Sequence, residues 1–317
     1  MPRLRNPSLK VFDSIATFHS TRQTIITIGT FDGVHIGHRK IIDRVVHDAS
    51  AKGLESVILT FFPHPRIVLH GGDGIKLLNT LDEKKSLLEA AGLENLIIHP
   101  FDEAFANLTA REFVETVLVK KLNIAKIIIG HDHRFGKNRD AGIEDLIAFG
   151  KEFGFEVEQI PAQEIDAVSV SSTKIRNALF DGKMELANNY LGYNYFLTGT
   201  VIRGKQLGRT IGFPTANIKI AESYKLVPKN GIYVAQSMID GQLVRGMLSI
   251  GTNPTVGGKD LSIEIYYIGF EGDLYGKTLS IEMLHFIRDE EKFDSLDALK
   301  AAIAKDQAAA LAYFERQ

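Results

Sequence analysis

Residues 24–28, Thr-Ile-Ile-Thr-Ile, form a β-branched, almost wholly apolar run of the kind buried on both faces of a parallel sheet. Directly after it comes Gly29-Thr30-Phe31-Asp32-Gly33-Val34-His35-Ile36-Gly37-His38, and then a segment in which Ile41, Ile42, Val45, Val46 and Ala49 recur at helical spacing. A buried strand that turns through glycines into an amphipathic helix restricts the fold to an α/β type, since the next parallel strand needs such a crossover. The turn also presents free backbone N–H groups and the positive end of a helix dipole, a setting suited to phosphate.

The alternation continues. Strands are expected at 25–28, 57–61, 96–99, 126–129 and 155–160, with helices at 39–52, 81–91, 110–121 and 143–153. Thr80 with Glu83 and Thr109 with Glu112 have capping-box spacing. This order predicts a doubly wound parallel sheet, whose ligands bind beyond the carboxyl ends of the strands. His35 and His38 fall there, as do Phe62-Pro63-His64-Pro65, the 130–136 segment and the 171–176 segment.

After Leu191 the rhythm becomes that of an antiparallel sheet or small barrel. Strands are expected at 198–202, 232–239, 243–250, 261–270 and 278–287. Asp240-Gly241 joins two of them with a strong hairpin signal. An amphipathic helix at 295–315 closes the chain, packed on the barrel. The junction is expected within 188–196, giving domains of 1–187 and 188–317. The 317 residues carry 44% hydrophobic and 24% charged side chains with a formal net charge of −2, which points to neither a nucleic-acid nor a membrane partner. With no cysteine, disulfides and thiolate chemistry are excluded and a cytoplasmic location is expected. The polar N-terminus does not read as a signal peptide, and no run approaches the ~18 apolar residues of a membrane span.

One histidine at a helix start is ordinarily a cap; two, three residues apart between glycines, are more specific. The segment resembles the HxGH signature of nucleotidyltransferases, and its longer form GTFDGVHIGH resembles the FAD synthetase branch. The resemblance implies that His35 and His38 contact nucleotide phosphates and act in catalysis, with Gly29, Phe31 and Asp32 shaping the ATP site. It implies phosphate contacts from Ser172, Thr173 and Arg176, and flavin or nucleotide contacts from His64 and Asp132. His133 stands where many relatives carry Phe. His131, Asp132 and His133 imitate a metal cluster, but alternate residues of an extended chain face opposite ways.

In the second half, residues 199–205 read G-x-x-x-x-G-K. Gln206 replaces the Ser/Thr of a P-loop and no helix follows, which argues against one. The run from Gly204 to Asn217, with Gly208 and the stretch Gly212-Phe213-Pro214-Thr215-Ala216-Asn217, instead resembles riboflavin kinase, as does Glu264 in an otherwise apolar strand. That resemblance implies a six-stranded barrel and an ATP site at Gly204, Lys205, Gly208, Thr215 and Asn217. It implies Mg²⁺ held by Thr215 and Asn217, and Glu264 as the general base toward the ribityl 5′-hydroxyl. Ser249 stands where relatives often have Asn. Together the halves resemble the bifunctional family that converts riboflavin to FMN and FMN to FAD, with ATP, riboflavin, FMN and FAD as substrates or products. The rival readings are another HxGH adenylyl- or cytidylyltransferase with an unrelated β domain, and a catalytically inactive flavin-binding protein.

Overall fold

The expected run 24–28 is a strand with every residue buried, and it lies in the middle of its sheet. The computed structural model describes residues 8–70, 75–131, 133–161, 170–204, 208, 211–255 and 258–316. Two units, Met1–Ser171 and Ser172–Gln317, each make their own internal contacts.

The first unit contains β1 (Lys10–Phe12), β2 (Thr24–Ile28), β3 (Glu55–Phe61), β4 (Asn95–His99), β5 (Ile124–Gly130) and β6 (Glu156–Ile160). They pair in parallel in the order β1-β4-β3-β2-β5-β6. Helices α1 (Ile36–Lys52), α2 (Pro65–His70), α3 (Leu81–Ala90), α4 (Glu103–Ala106), α5 (Ala110–Glu112) and α6 (Ile143–Phe153) connect them. Both sheet faces are covered. Ile26, Ile28, Val57 and Leu59 pack with Phe113, Leu118 and Leu146 in one core. Ile25 and Ile128 pack with Ile41 and Val45 of α1, while Ile58 and Leu96 meet Ile42 and Leu88 in a third cluster. Double coverage accounts for the largely apolar runs of these strands. Both capping boxes form: Thr80 accepts from Glu83 N while Glu83 accepts from Thr80 N, and Thr109 and Glu112 do the same.

Two details differ from the expected pattern. The short edge strand β1 joins β4, adding a strand that three residues are too few to announce by alternation. The helix expected at 110–121 begins as α5 but continues in π form from Phe113 to Val119.

The second unit begins with α7 (Ser172–Phe180) and α8 (Met184–Leu191) and continues as β7 (Phe196–Ile202), β8 (Ala216–Lys219), β9 (Gly231–Ile239), β10 (Gln242–Thr255), β11 (Gly258–Tyr267) and β12 (Thr278–Arg288). These strands close a barrel in the order β10-β11-β8-β7-β12-β9. Asp240 and Gly241 adopt φ of 48° and 82°, the left-handed pair of a tight hairpin between β9 and β10. The terminal helix α9 (Leu296–Glu315) lays Ala310 and Phe314 against Val234, Met247 and Leu284 of the barrel. Asn188 of α8 donates to Met283 O at 2.9 Å and accepts from Tyr195 N at 2.8 Å, so the α7–α8 pair is fastened to the barrel. The expected domain junction of 187/188 therefore falls inside α8, whereas the two units divide at 171/172.

Candidate active sites

β2 has β3 on one side and β5 on the other, and the chain order reverses across the β2–β5 pair. A crevice opens at such a switch point, beyond the carboxyl ends of the strands. The loop from Gly29 to His35 sits there. Gly29 N is tied to Leu59 O at 3.1 Å. Phe31, Gly33 and Val34 then take φ of 46°, 90° and 38°. A positive φ is costly for Phe and for β-branched Val, and only Gly33 adopts it freely. The conformation is held by packing: Phe31 and Val34 are buried with Ile42, Ile58 and Leu88. Asp32, 2% exposed, accepts from Leu78 N at 2.8 Å.

His35 is the N-cap of α1, its Nδ1 accepting from His38 N at 3.4 Å. The two imidazoles stack with centroids 3.6 Å apart, and Phe31 meets the His38 ring edge-on at 5.1 Å. Burial lowers the His35 pKa to about 4 against a modest opposing backbone hydrogen bond. His38 is held well below the ordinary value by burial first, then by the charges of His35 and Lys84. Both rings are therefore neutral near pH 7. The Nδ1 of His38 is buried without a hydrogen-bond partner among the described residues. The loop thus offers two neutral imidazoles and a helix N-terminus to an anionic ligand.

In the barrel, Thr215 just before β8 and Asn217 within it meet Glu264 of β11. Thr215 Oγ1 donates to Glu264 Oε2 at 2.8 Å, and Ser262 Oγ donates to Glu264 Oε1 at 3.0 Å. Glu264 stands opposite Asn217 of β8 and opposite Ser249 of β10, so the three share one barrel face. The Asn217 side chain lies against Gly204, where a Cβ would come within 2.2 Å of Asn217 Nδ2. Only glycine permits that approach. Gly208 turns the loop back, its carbonyl accepting from Phe213 N at 2.8 Å and Ile211 N at 3.2 Å. A hydroxyl, an amide and a half-buried carboxylate thus converge beside a glycine-lined approach.

Residues 17–174 match the family model for FAD synthetase, and residues 191–314 match that for riboflavin kinase. The bifunctional riboflavin kinase/FMN adenylyltransferase of Listeria monocytogenes is 38% identical over 296 residues, spanning 92% of this chain and 93% of that protein. The protein of the same name from Escherichia coli K12 is 35% identical over 291 residues, spanning 92% of each. This chain belongs to the bifunctional riboflavin kinase/FMN adenylyltransferase family.

A crystal structure reported as a macrolide-efflux protein from Streptococcus pneumoniae has the same fold, with a TM-score of 0.86 and 31% identity over 95% of this chain and 98% of that one. Among the described residues here, no helix is long and apolar enough to cross a membrane. The remaining family positions are distributed as follows. His64 is half-buried, and its Nδ1 accepts from Arg66 N at 3.2 Å at the start of α2. Ser172, Thr173 and Arg176 occupy the first turns of α7, with Ser172 and Arg176 one turn apart. Asp132 and Lys205 lie outside the described residues. His133 stacks on Phe135 with centroids 6.2 Å apart.

Sequence reasoning missed an aromatic group at the carboxyl ends of β3 and β4 in this family member. Phe61 meets Phe101 at 5.4 Å and Phe105 at 5.3 Å, and His99 meets Phe105 at 4.7 Å. The available signal was the placement of Phe61 and His99 as the last residues of two expected strands.

Proposed function

We propose that the Gly29–His38 segment is the adenylyl-transfer site and the Glu264 cluster the phosphoryl-transfer site of a chain that carries both activities of its family. The observation that carries this reading is the convergence of Thr215 and Asn217, at the start of β8, with Glu264 of the distant β11 on one face of the barrel. We take the adenylyltransferase domain as 1–187 and the kinase domain as 188–317, a boundary within the 175–190 stretch that neither family model covers, although the compact units divide at 171/172.

In the kinase reaction Glu264 accepts the proton of the ribityl 5′-hydroxyl. The hydroxyl oxygen bonds to the γ-phosphorus of ATP while the bond to the leaving ADP oxygen breaks. Ser262 and Thr215 each hold one oxygen of the carboxylate, which aims it. Gly204, Lys205 and Gly208 belong to the loop over the ATP phosphates. The hydroxyl of Thr215 and the amide of Asn217 are hard oxygen donors that suit Mg²⁺, with Thr215 Oγ1 retaining acceptor capacity while it donates to Glu264. When bound, that ion neutralises charge on the transferred phosphoryl group.

In the adenylyl reaction a phosphate oxygen of FMN bonds to the α-phosphorus of ATP, and pyrophosphate departs with the broken P–O bond. The acceptor is already anionic, so no general base is assigned. With its Nδ1 accepting from His38 N, His35 keeps its proton on Nε2 and donates it toward a phosphate oxygen. His38 adds a second neutral donor. Gly29, Phe31 and Asp32 set the shape of the ATP-binding loop. Ser172, Thr173 and Arg176 bind phosphate through hydroxyls and a guanidinium fork. His64 and Asp132 contact the flavin nucleotide, and the aromatic edges of Phe61 and Phe101 supply an apolar face for its rings.

The ligands in this reading are small molecules, and the reaction runs in the cytoplasm, where ATP is available. Incubating the chain with riboflavin, ATP and Mg²⁺ and separating the flavins tests it. FMN followed by FAD is the expected result, and chelating the metal stops FMN formation. FAD from supplied FMN without FMN from riboflavin would favour an adenylyltransferase with an unrelated barrel. Neither product would favour a flavin binder without turnover.

A further inference from the structure

Beneath the first loop lies a buried lysine that the scheme above does not use. Lys84 follows Glu83 of the α3 capping box and is 5% exposed. Its Nζ donates to the carbonyl oxygen of Thr30 at 2.7 Å. The same oxygen accepts from Thr60 Oγ1 at 3.2 Å. Burial lowers the Lys84 pKa, and the charge of Asp32 opposes that shift. Asp32 is itself buried and anchored to Leu78 N.

An ammonium is expensive to bury, and an apolar chain of similar length would fill the space at less cost in stability. What the ammonium adds is direction and charge. In a trans peptide the N–H points opposite to the C=O. Drawing the Thr30 carbonyl inward therefore aims the Phe31 N–H the other way, at the entrance to the stretch with positive φ at Phe31, Gly33 and Val34. Among the described residues, the titratable groups whose fields reach His38 are His35 and Lys84, and Asp32 faces Lys84.

We propose that Lys84 is a positioning residue for adenylyl transfer, which holds the Thr30 carbonyl and with it the peptide entering the 31–35 loop, and keeps a fixed positive charge behind His38. This rests on the assignment of that loop as the adenylyl-transfer site. The full-length wild type, Lys84→Met and Lys84→Arg are compared for FAD formation from FMN and for FMN formation from riboflavin. Wild type that makes no FAD would sink the site assignment itself, before Lys84 is at issue.

With Lys84→Met, kcat for FAD is expected to fall about 10²-fold while KM for ATP moves less than about threefold, as for a misplaced rather than a missing contact. Lys84→Arg recovers part of the rate. The acid limb of kcat shifts to higher pH in Lys84→Met, because His38 protonates more readily once the neighbouring cation is gone. FMN formation stays at the wild-type rate in both variants, and a wild-type far-UV circular dichroism melt reports that the first unit, which carries Lys84, is folded. A Lys84→Met enzyme with wild-type kcat, a loss confined to KM, or a loss equal at every pH overturns the proposal. If Lys84→Met loses both activities through misfolding, Lys84→Gln takes its place, and an acid limb unchanged from wild type in that variant is equally decisive against it.

Discussion

On the proposed assignment, the two sites solve the handling of ATP in opposite ways. The first is a contiguous loop, strained and buried, whose imidazoles are kept neutral by desolvation. The second is assembled from β8, the residue before it and β11 around a half-buried carboxylate, with hydroxyls from Ser262 and Thr215 setting its direction. On the proposed assignment the first reaction needs donors aimed at phosphate oxygens and no base, and its loop offers imidazoles kept neutral by burial. The second must take a proton from an alcohol, so its site keeps an acceptor within reach of substrate. The physical demand of each reaction, more than the shared substrate, decides the kind of site.

Substitutions that separate the activities test this contrast most severely. Glu264→Gln is expected to lower FMN formation by about 10³-fold, the scale of a lost general base, while FAD still forms from supplied FMN. Chromatography of both flavins checks it, and loss of both activities would show that the sites are not independent. His38→Ala is expected to do the converse, letting FMN accumulate while the FAD rate falls about 10²-fold through a lost transition-state donor.

A smaller effect follows from the buried imidazole. The His35 pKa is lowered from 6.5 to about 4, so the unfolded chain binds a proton between those values that the folded chain does not. The stability this confers is complete above pH 6.5 and is lost as the pH falls toward 4. Between pH 7 and 4.5 the first unit is expected to lose about 2 kcal/mol from this group, a loss that His35→Gln removes from the melting curves. The smallest effect belongs to the support beneath the loop. Thr80→Ala leaves the amide of Glu83 without its cap and is expected to cost about 1 kcal/mol in denaturant melts, leaving FMN formation unchanged.

The first site was largely legible because its parts are neighbours in the chain. A wholly apolar strand, glycines at the turn and helical spacing after it are local signals, and the structure places His35 and His38 at the start of α1 as they require. The barrel was less legible. Periodicity marked five of its strands, while β8, four residues long, showed itself only through a family resemblance. Yet β8 sets Asn217 opposite Glu264. Lys84 was invisible for another reason: a lysine in a helix ordinarily faces water, and nothing in the residues around it announces burial.

From its sequence alone, this chain could be divided into an α/β half and a β half, with its helix caps, its Asp240-Gly241 hairpin and the strand-to-helix turn bearing two histidines. Those features depend on backbone preferences and hydrogen bonds between near neighbours. Closure of the barrel, the register that gathers Thr215, Asn217, Ser262 and Glu264, and the ammonium under Thr30 were decided only in three dimensions. They depend on which distant surfaces meet and exclude water, and no local pattern encodes that.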